Sequence, residues 1–168
     1  LLTIRETFGD LAGRRLVFVG DGNNVAKSLA IACGRAGLSM TLSAPAGYEF
    51  ENEFLELLAE AVPDADLVVE ADPIAAVAEA DVIYTDVWAS MGQESEKSER
   101  ESAFAGHQVN ARLMAAAPET CRFMHDLPAR RGLEVTDEVI DGPQSVVFTQ
   151  AENRMHLAKG LLLWLLGE

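Results

Sequence analysis

Short apolar runs alternate with segments of helical periodicity along this chain, the pattern of a parallel sheet wrapped by helices. RLVFV at 15–19 reads as a first strand, SMTLS at 39–43 as a second, LVVE at 67–70 as a third and DVIYT at 81–85 as a fourth. CRFMH at 121–125 makes a fifth strand and SVVF at 145–148 a sixth. Between the first two, Ala26, Leu29, Ala30 and Cys33 share one face of a helix capped by Asn23, running to about Ala36 and stopped by Gly37. Phe54, Leu57, Leu58 and Ala61 form the buried stripe of a helix over 51–62, with Glu51 and Glu53 in a first turn whose dipole favours them. Residues 71–80 predict a short helix, and the chain opens in a helix-like pattern, LLTIRETFG. A last helix is expected from Thr149, with Glu152 completing a capping box, to the end of the chain. Right-handed crossovers make a doubly wound, mostly parallel sheet of five or six strands, order 3-2-1-4-5-6, the economical arrangement: an α/β, Rossmann-like fold.

Such a sheet binds ligands outside the carboxyl ends of strands one and four, where the crossovers depart to opposite faces. The loops there are DGNN (21–24) and DVWASMG (86–92), with HDLP (125–128) next door. The polar run QESEKSERE, 93–101, lacks hydrophobic periodicity and is expected to be a solvated, mobile loop.

At 168 residues the chain fits one domain that can bury a core without disulfides or metals. With 27 acidic against 13 basic side chains, a formal charge of -14, it disfavours nucleic acid and suits small, partly cationic ligands. Cys33 and Cys121 fall in apolar segments, as small hydrophobes of a reducing compartment do, so a cytoplasmic (or organelle-lumenal) location is expected. The longest apolar stretch, LLLWLL at 161–166, is far short of the ~20 residues of a membrane span. The chain starts at Leu1 inside a helical pattern and is expected to begin within a longer protein.

VGDGNN at 19–24 supplies two glycines of a G-x-G-x-x-G turn, but Val25 takes the third place. The second strand ends Ser43-Ala44-Pro45, without the acid that would hold a ribose. A dinucleotide site is therefore disfavoured. What remains is a tight turn whose helix-terminal N–H groups and two amides, Asn23 and Asn24, suit a carboxylate. Across the crevice, Asp86, Ser90, Met91 and the flexible Gly92 could grip an ammonium, so together the loops fit an α-amino acid. Taken singly, each residue has a plainer reading: Asn23 as a cap, Asn24 solvated, Asp86 a turn former, Ser90 bonded locally. Arg154 reads as a helix-surface cation, His125 as a buried, satisfied ring, and His107 and His156 as a loop and a helix histidine without partners. Trp88 reads as packing.

Jointly, VGDGNN (19–24), DVWASMGQE (86–94), MHDLP (124–128) and AENR (151–154) before an apolar helix resemble the carboxyl-terminal half of the ornithine carbamoyltransferase family, in the family's order and over nearly the whole chain. D-x-x-x-S-M-G, Asp86 to Gly92, marks the ornithine branch of the carbamoyltransferases. The resemblance implies transfer of a carbamoyl group from carbamoyl phosphate to the side-chain amine of L-ornithine, giving citrulline and phosphate, with no metal or organic cofactor. It implies that Asn23, Asn24, Asp86, Ser90 and Met91 hold ornithine, and that the HDLP turn (His125, Asp126, Leu127) faces the carbamoyl group and the amine. Arg154 would reach the carbamoyl phosphate oxygen, making Asp86, His125, Asp126 and Arg154 the catalytic set. A cis peptide before Pro128 and a flap over 92–101 that closes on ornithine are further expectations. The whole protein would be a homotrimer, or a multiple of trimers, serving arginine biosynthesis or ornithine breakdown. The chemistry is coherent, because an amine titrating near ~10.4 must lose a proton before it attacks. Charge on the carbonyl oxygen then needs donors such as Arg154 and His125.

The chain departs from the family twice. Asp126 stands where the family turn, His-Cys-Leu-Pro, has its thiol. A carboxylate there would hold an ammonium more tightly and raise its pKa, against nucleophilic attack. Alternatively Asp86 and Asp126 share a proton and one serves as base, the pocket takes another amine, or the protein is a catalytically silent paralogue. Second, the family's S-T-R-T and H-P-x-Q motifs are missing. Residues 1–168 thus read as the ornithine-binding domain, with the carbamoyl-phosphate domain absent from this chain and catalysis poor without it. Leu161 to Leu166 and Trp164 would then be uncovered and promote self-association.

Overall fold

The structure, a computed structural model, describes residues 1–89 and 94–167. Its elements run α1 (Leu2–Phe8), β1 (Arg15–Val19), α2 (Asn24–Ala36), β2 (Ser39–Ser43), α3 (Asn52–Ala61), β3 (Leu67–Val69), α4 (Pro73–Val77) and β4 (Val82–Thr85). The second half adds α5 (Lys97–Ala103), α6 (Ala111–Ala116), β5 (Arg122–His125), α7 (Asp137–Ile140) and α8 (Val147–Leu166). The five strands form one sheet in the order β3-β2-β1-β4-β5, every pairing parallel. The order reverses between β1 and β4, as the doubly wound reading requires.

Strand β1 explains why its sequence is continuously apolar. Leu16 and Phe18 point into one core with Ala26, Ala30 and Cys33 of α2 and Phe54 and Leu58 of α3. Val17 and Val19 point into the other with Val77, Leu113, Phe123, Ile140 and Val147. Both faces of the sheet are covered, so alternation disappears from the sequence. Asn23 caps α2 by accepting from Val25 N and Ala26 N, and Gly37 ends it in the left-handed conformation at φ 75°. Both cysteines are free and buried, as small hydrophobes.

Four expectations are corrected. No sixth strand forms among the described residues: Phe123 N donates to Gln144 O and Val146 N to Phe123 O, and then Val147 turns into α8, fully buried. Packing of Val147 against the second core overrides the β propensity of SVVF. Consequently α8 starts before Thr149, with Val146 at its N-cap and no side-chain cap. The α3 stripe narrows to Phe54 and Leu58; Leu57 is 51% exposed and Ala61 is exposed, because only one flank of the helix meets the sheet. The polar run after the fourth strand is not a loop throughout: Glu94–Glu96 make a 3-10 turn and Lys97–Ala103 a helix. Helices α6 and α7, six and four residues long, are too short to show a helical period in the sequence. No helix among the described residues is long and apolar enough to cross a membrane. The far end of α8 carries Leu161, Leu162, Leu163, Trp164, Leu165 and Leu166 all exposed.

Candidate active site

The crevice begins at the turn after β1. Gly22 N donates to Tyr48 O at 2.8 Å, and a Cβ on Gly22 would lie 2.8 Å from Glu49 O. The second glycine of the turn thus admits the chain's own 48–50 segment, the close approach that a dinucleotide fingerprint reserves for pyrophosphate. Asn23, with its Oδ1 committed to the helix cap, donates from Nδ2 to Asp86 Oδ2 at 3.1 Å. Asn24 is exposed on the first turn of α2 and, with Asp21, Lys27, Tyr48 and Arg100, lines a cavity of about 480 Å³.

Asp86 follows β4 directly and is 9% exposed. Its Oδ1 accepts from Val87 N at 2.7 Å, while Thr85 Oγ1 donates to Val19 O at 2.6 Å and ties the two strand ends together. Beside it stands Asp126, at the end of β5: polar atoms of Asp86, His125 and Asp126 lie within 4.8 Å of one another. Burial, and then the charge of Asp86, push the Asp126 carboxyl up to about 6. Its Oδ1 is buried without a hydrogen-bond donor.

His125 is closed on both sides. Nδ1 accepts from Leu127 N at 2.9 Å, and Nε2 lies 3.3 Å from Glu134 Oε1, so the proton assigned to Nε2 points at Glu134. Glu134 is fully buried and also accepts from Arg130 N. With no free lone pair on His125, the three-residue cluster offers a metal only its two carboxylates. The backbone of the turn is unusual: Leu127 has φ 59°, strain of about 1–3 kcal/mol for a non-glycine residue, and the Leu127–Pro128 peptide is cis, as the family resemblance implies. His125 N donates to Gln150 Oε1 at 3.0 Å, and Gln150 Nε2 to the Tyr84 hydroxyl at 3.0 Å, so α8, β4 and β5 meet at one side chain. Burial, followed by the charge of Asp126, pushes the Tyr84 hydroxyl well above its ordinary range.

Arg154 is exposed on α8, one turn beyond Gln150, and shares a cavity of about 790 Å³ with Asp126, Leu127, Pro128 and Phe148. Ser90 and Met91 lie outside the described residues. Of the flap, α5 is pinned by Arg100, whose Nη1 donates to Asp21 Oδ2 at 2.8 Å and Trp88 O at 3.1 Å, and whose Nε donates to Glu96 Oε2 at 3.0 Å. The guanidinium also lies 5.1 Å from the centre of the Tyr48 ring. Trp88 stacks on Phe104 at 5.8 Å, in keeping with a packing role. His107 is buried against Phe104 with neither ring nitrogen hydrogen-bonded among the described residues, whereas His156, expected to have no partner, lies 3.4 Å from Glu152.

Asn23, Asp86, His125 and Asp126 are therefore brought together, Leu127 and Arg154 line the adjoining cavity, and Asn24 faces the neighbouring one. Sequence reasoning missed Asp21, Arg100, Glu134 and Gln150. Asp21 sits inside the quoted turn and was available as a signal; the pairing of the others is tertiary and leaves no local pattern.

A parallel sheet with its reversal at β1 and β4 and an acid-lined crevice beyond those strand ends defines a doubly wound α/β domain, the architecture that opens a small polar crevice at its switch point. The chain belongs to the aspartate/ornithine carbamoyltransferase family, residues 12–165 matching its Asp/Orn binding domain. It is 51% identical over 168 residues to the ornithine carbamoyltransferase of Acidothermus cellulolyticus, covering 99% of this chain and 54% of that protein. It is 49% identical over 164 residues to that of Bacillus subtilis, covering 96% and 51%. The solved ornithine carbamoyltransferase from Pyrococcus furiosus superimposes with a TM-score of 0.89 at 48% identity, over 96% of this chain and 52% of that one. The chain spans about half the length of the curated relatives it matches.

Proposed function

We propose that residues 1–168 are the L-ornithine-binding half of an ornithine carbamoyltransferase, which makes citrulline and phosphate from ornithine and carbamoyl phosphate. The observation that carries this reading is the meeting of Asn23, Asp86 and Asp126 from three separate loops at the switch point. Two carboxylates beside a fixed amide form a strong seat for a small ammonium. Arg154, across the adjoining cavity, is placed to offset negative charge on the carbamoyl phosphate oxygen. His125 serves as a brace: its ring nitrogens hold Leu127 N–H and Glu134, which fixes the turn that presents Asp126. Contacts to the phosphate belong to a carbamoyl-phosphate domain outside this chain, so turnover needs that domain. A homotrimeric assembly, a cytoplasmic location and a role in arginine metabolism accompany the proposal on the family likeness.

Calorimetric titration of the chain with L-ornithine and L-norvaline, followed by a citrulline assay after adding the missing domain, tests the reading. Heat with both ligands and citrulline only from the completed protein are expected. Absence of heat together with absence of citrulline would overturn it.

A further inference from the structure

We infer that Asp126 accepts the proton leaving the side-chain ammonium of the bound amino acid, with the hydrogen-bonded Asp86 beside it. The inference rests on the ornithine-binding reading. Both oxygens of Asp86 already accept a hydrogen bond, Oδ2 from the Asn23 amide at 3.1 Å and Oδ1 from Val87 N–H at 2.7 Å. Asp126 is left differently. Its Oδ1 has no donor, and its side chain, 34% exposed, opens to the cavity it shares with Arg154. The imidazole next to it, an obvious alternative base, is occupied at Nδ1 and Nε2. A carboxyl with an unsatisfied oxygen, next to a carboxylate whose two oxygens each already accept a hydrogen bond, is the member of the pair that takes up the proton.

The groups around Asp126 are consistent with that role. The Tyr84 hydroxyl faces it from β4, Asp86 from just beyond that strand and the His125 ring from β5, with Glu134 behind the ring; Arg154 on α8 and Arg131 line its cavity. Burial and Asp86 raise its proton affinity to about 6, close to the working pH that suits a base. Below a pH of about 6 the pair in the free protein holds a proton, which an arriving ammonium displaces to solvent. One N–H proton then moves from the ammonium to the Asp126 carboxylate and frees the nitrogen lone pair. That pair forms the C–N bond to the carbamoyl carbon. The C–O bond to phosphate breaks with its electrons going to oxygen, and the second nitrogen proton leaves with the phosphate. Asp126 afterwards returns its proton to water.

The test has two arms. Calorimetry of the unaltered chain with ornithine, in buffers of different ionisation heat, should read about half a proton released at pH 6 and none by pH 8. In the protein completed with its carbamoyl-phosphate half, kcat/KM for ornithine should fall on the acid side through about 6. Asp126→Asn should lower kcat by ~100-fold or more and remove that limb, while Asp126→Cys should move the limb toward the thiol range of ~8.5. If ornithine binds and turns over but the limb ignores residue 126, or no proton is released, the inference falls and the ornithine reading stands. If the unaltered protein neither binds nor turns over ornithine, both fall.

Discussion

Replacing Asp126 by asparagine should stabilise the chain at neutral pH, although it removes a charged residue from the crevice. A carboxyl raised from 3.8 to about 6 binds its proton more tightly folded than unfolded. The stability it contributes is therefore complete below pH 3.8 and is lost as pH rises through about 6. Converted at 1.36 kcal/mol per pH unit, the full shift gives an upper bound of ~3 kcal/mol. One third of the side chain meets water, which screens the repulsion by Asp86 and reduces the expected effect to ~1–2 kcal/mol. Asparagine keeps the shape, carries no charge and can donate to Asp86. Urea unfolding of both proteins at pH 4, 5, 6 and 7.5 reads the difference directly, through the midpoint at unchanged slope. The variant should gain ~1–2 kcal/mol on the original chain between pH 4 and 7.5. A difference that stays flat, or one in which the original chain gains with pH, would refute the argument that burial and the neighbouring Asp86 together raise this carboxyl.

Other consequences are testable by the same means. Arg100→Ala leaves Asp21, whose carboxyl burial already holds above its ordinary range, without its cation; a loss of ~3 kcal/mol in urea unfolding is expected, with partial recovery in Arg100→Lys, which lacks the fork that reaches Trp88 O and Glu96. Gly22→Ala forces a methyl against the Glu49 carbonyl and should cost ~1–3 kcal/mol together with a measurable loss of ornithine affinity by calorimetry. Substituting Leu162 and Trp164, 59% and 74% exposed on α8, by serine should shift the sedimentation profile of the chain toward the monomer without changing its unfolding midpoint.

The sheet was legible because β1 and β4 are buried on both faces, and such strands announce themselves as unbroken apolar runs between turn residues. SVVF carried the same signal, yet a single bridge at Ser145 and the burial of Val147 turned it into the start of a helix; only the rest of the fold decides that competition. In α5 a hydrophobic pattern is missing because one arginine, buried by an acid from the other side of the crevice, does the anchoring. The crevice itself was readable from strand order, but which of two adjacent amides turns toward Asp86 depends on the extended backbone of Asn23, at ψ -176°. His125 reads in the sequence as a buried, satisfied ring and is one, but its partner Glu134, nine residues on, comes back beneath it only through the turn at Leu127, which no local pattern announces.

The most direct test of the central claim is a crystal structure of the chain grown with L-ornithine. The account predicts the side-chain nitrogen within hydrogen-bonding distance, about 3 Å, of both Asp86 and Asp126. Ornithine seated away from both carboxylates, or absent from the crevice at saturating concentration, would contradict it.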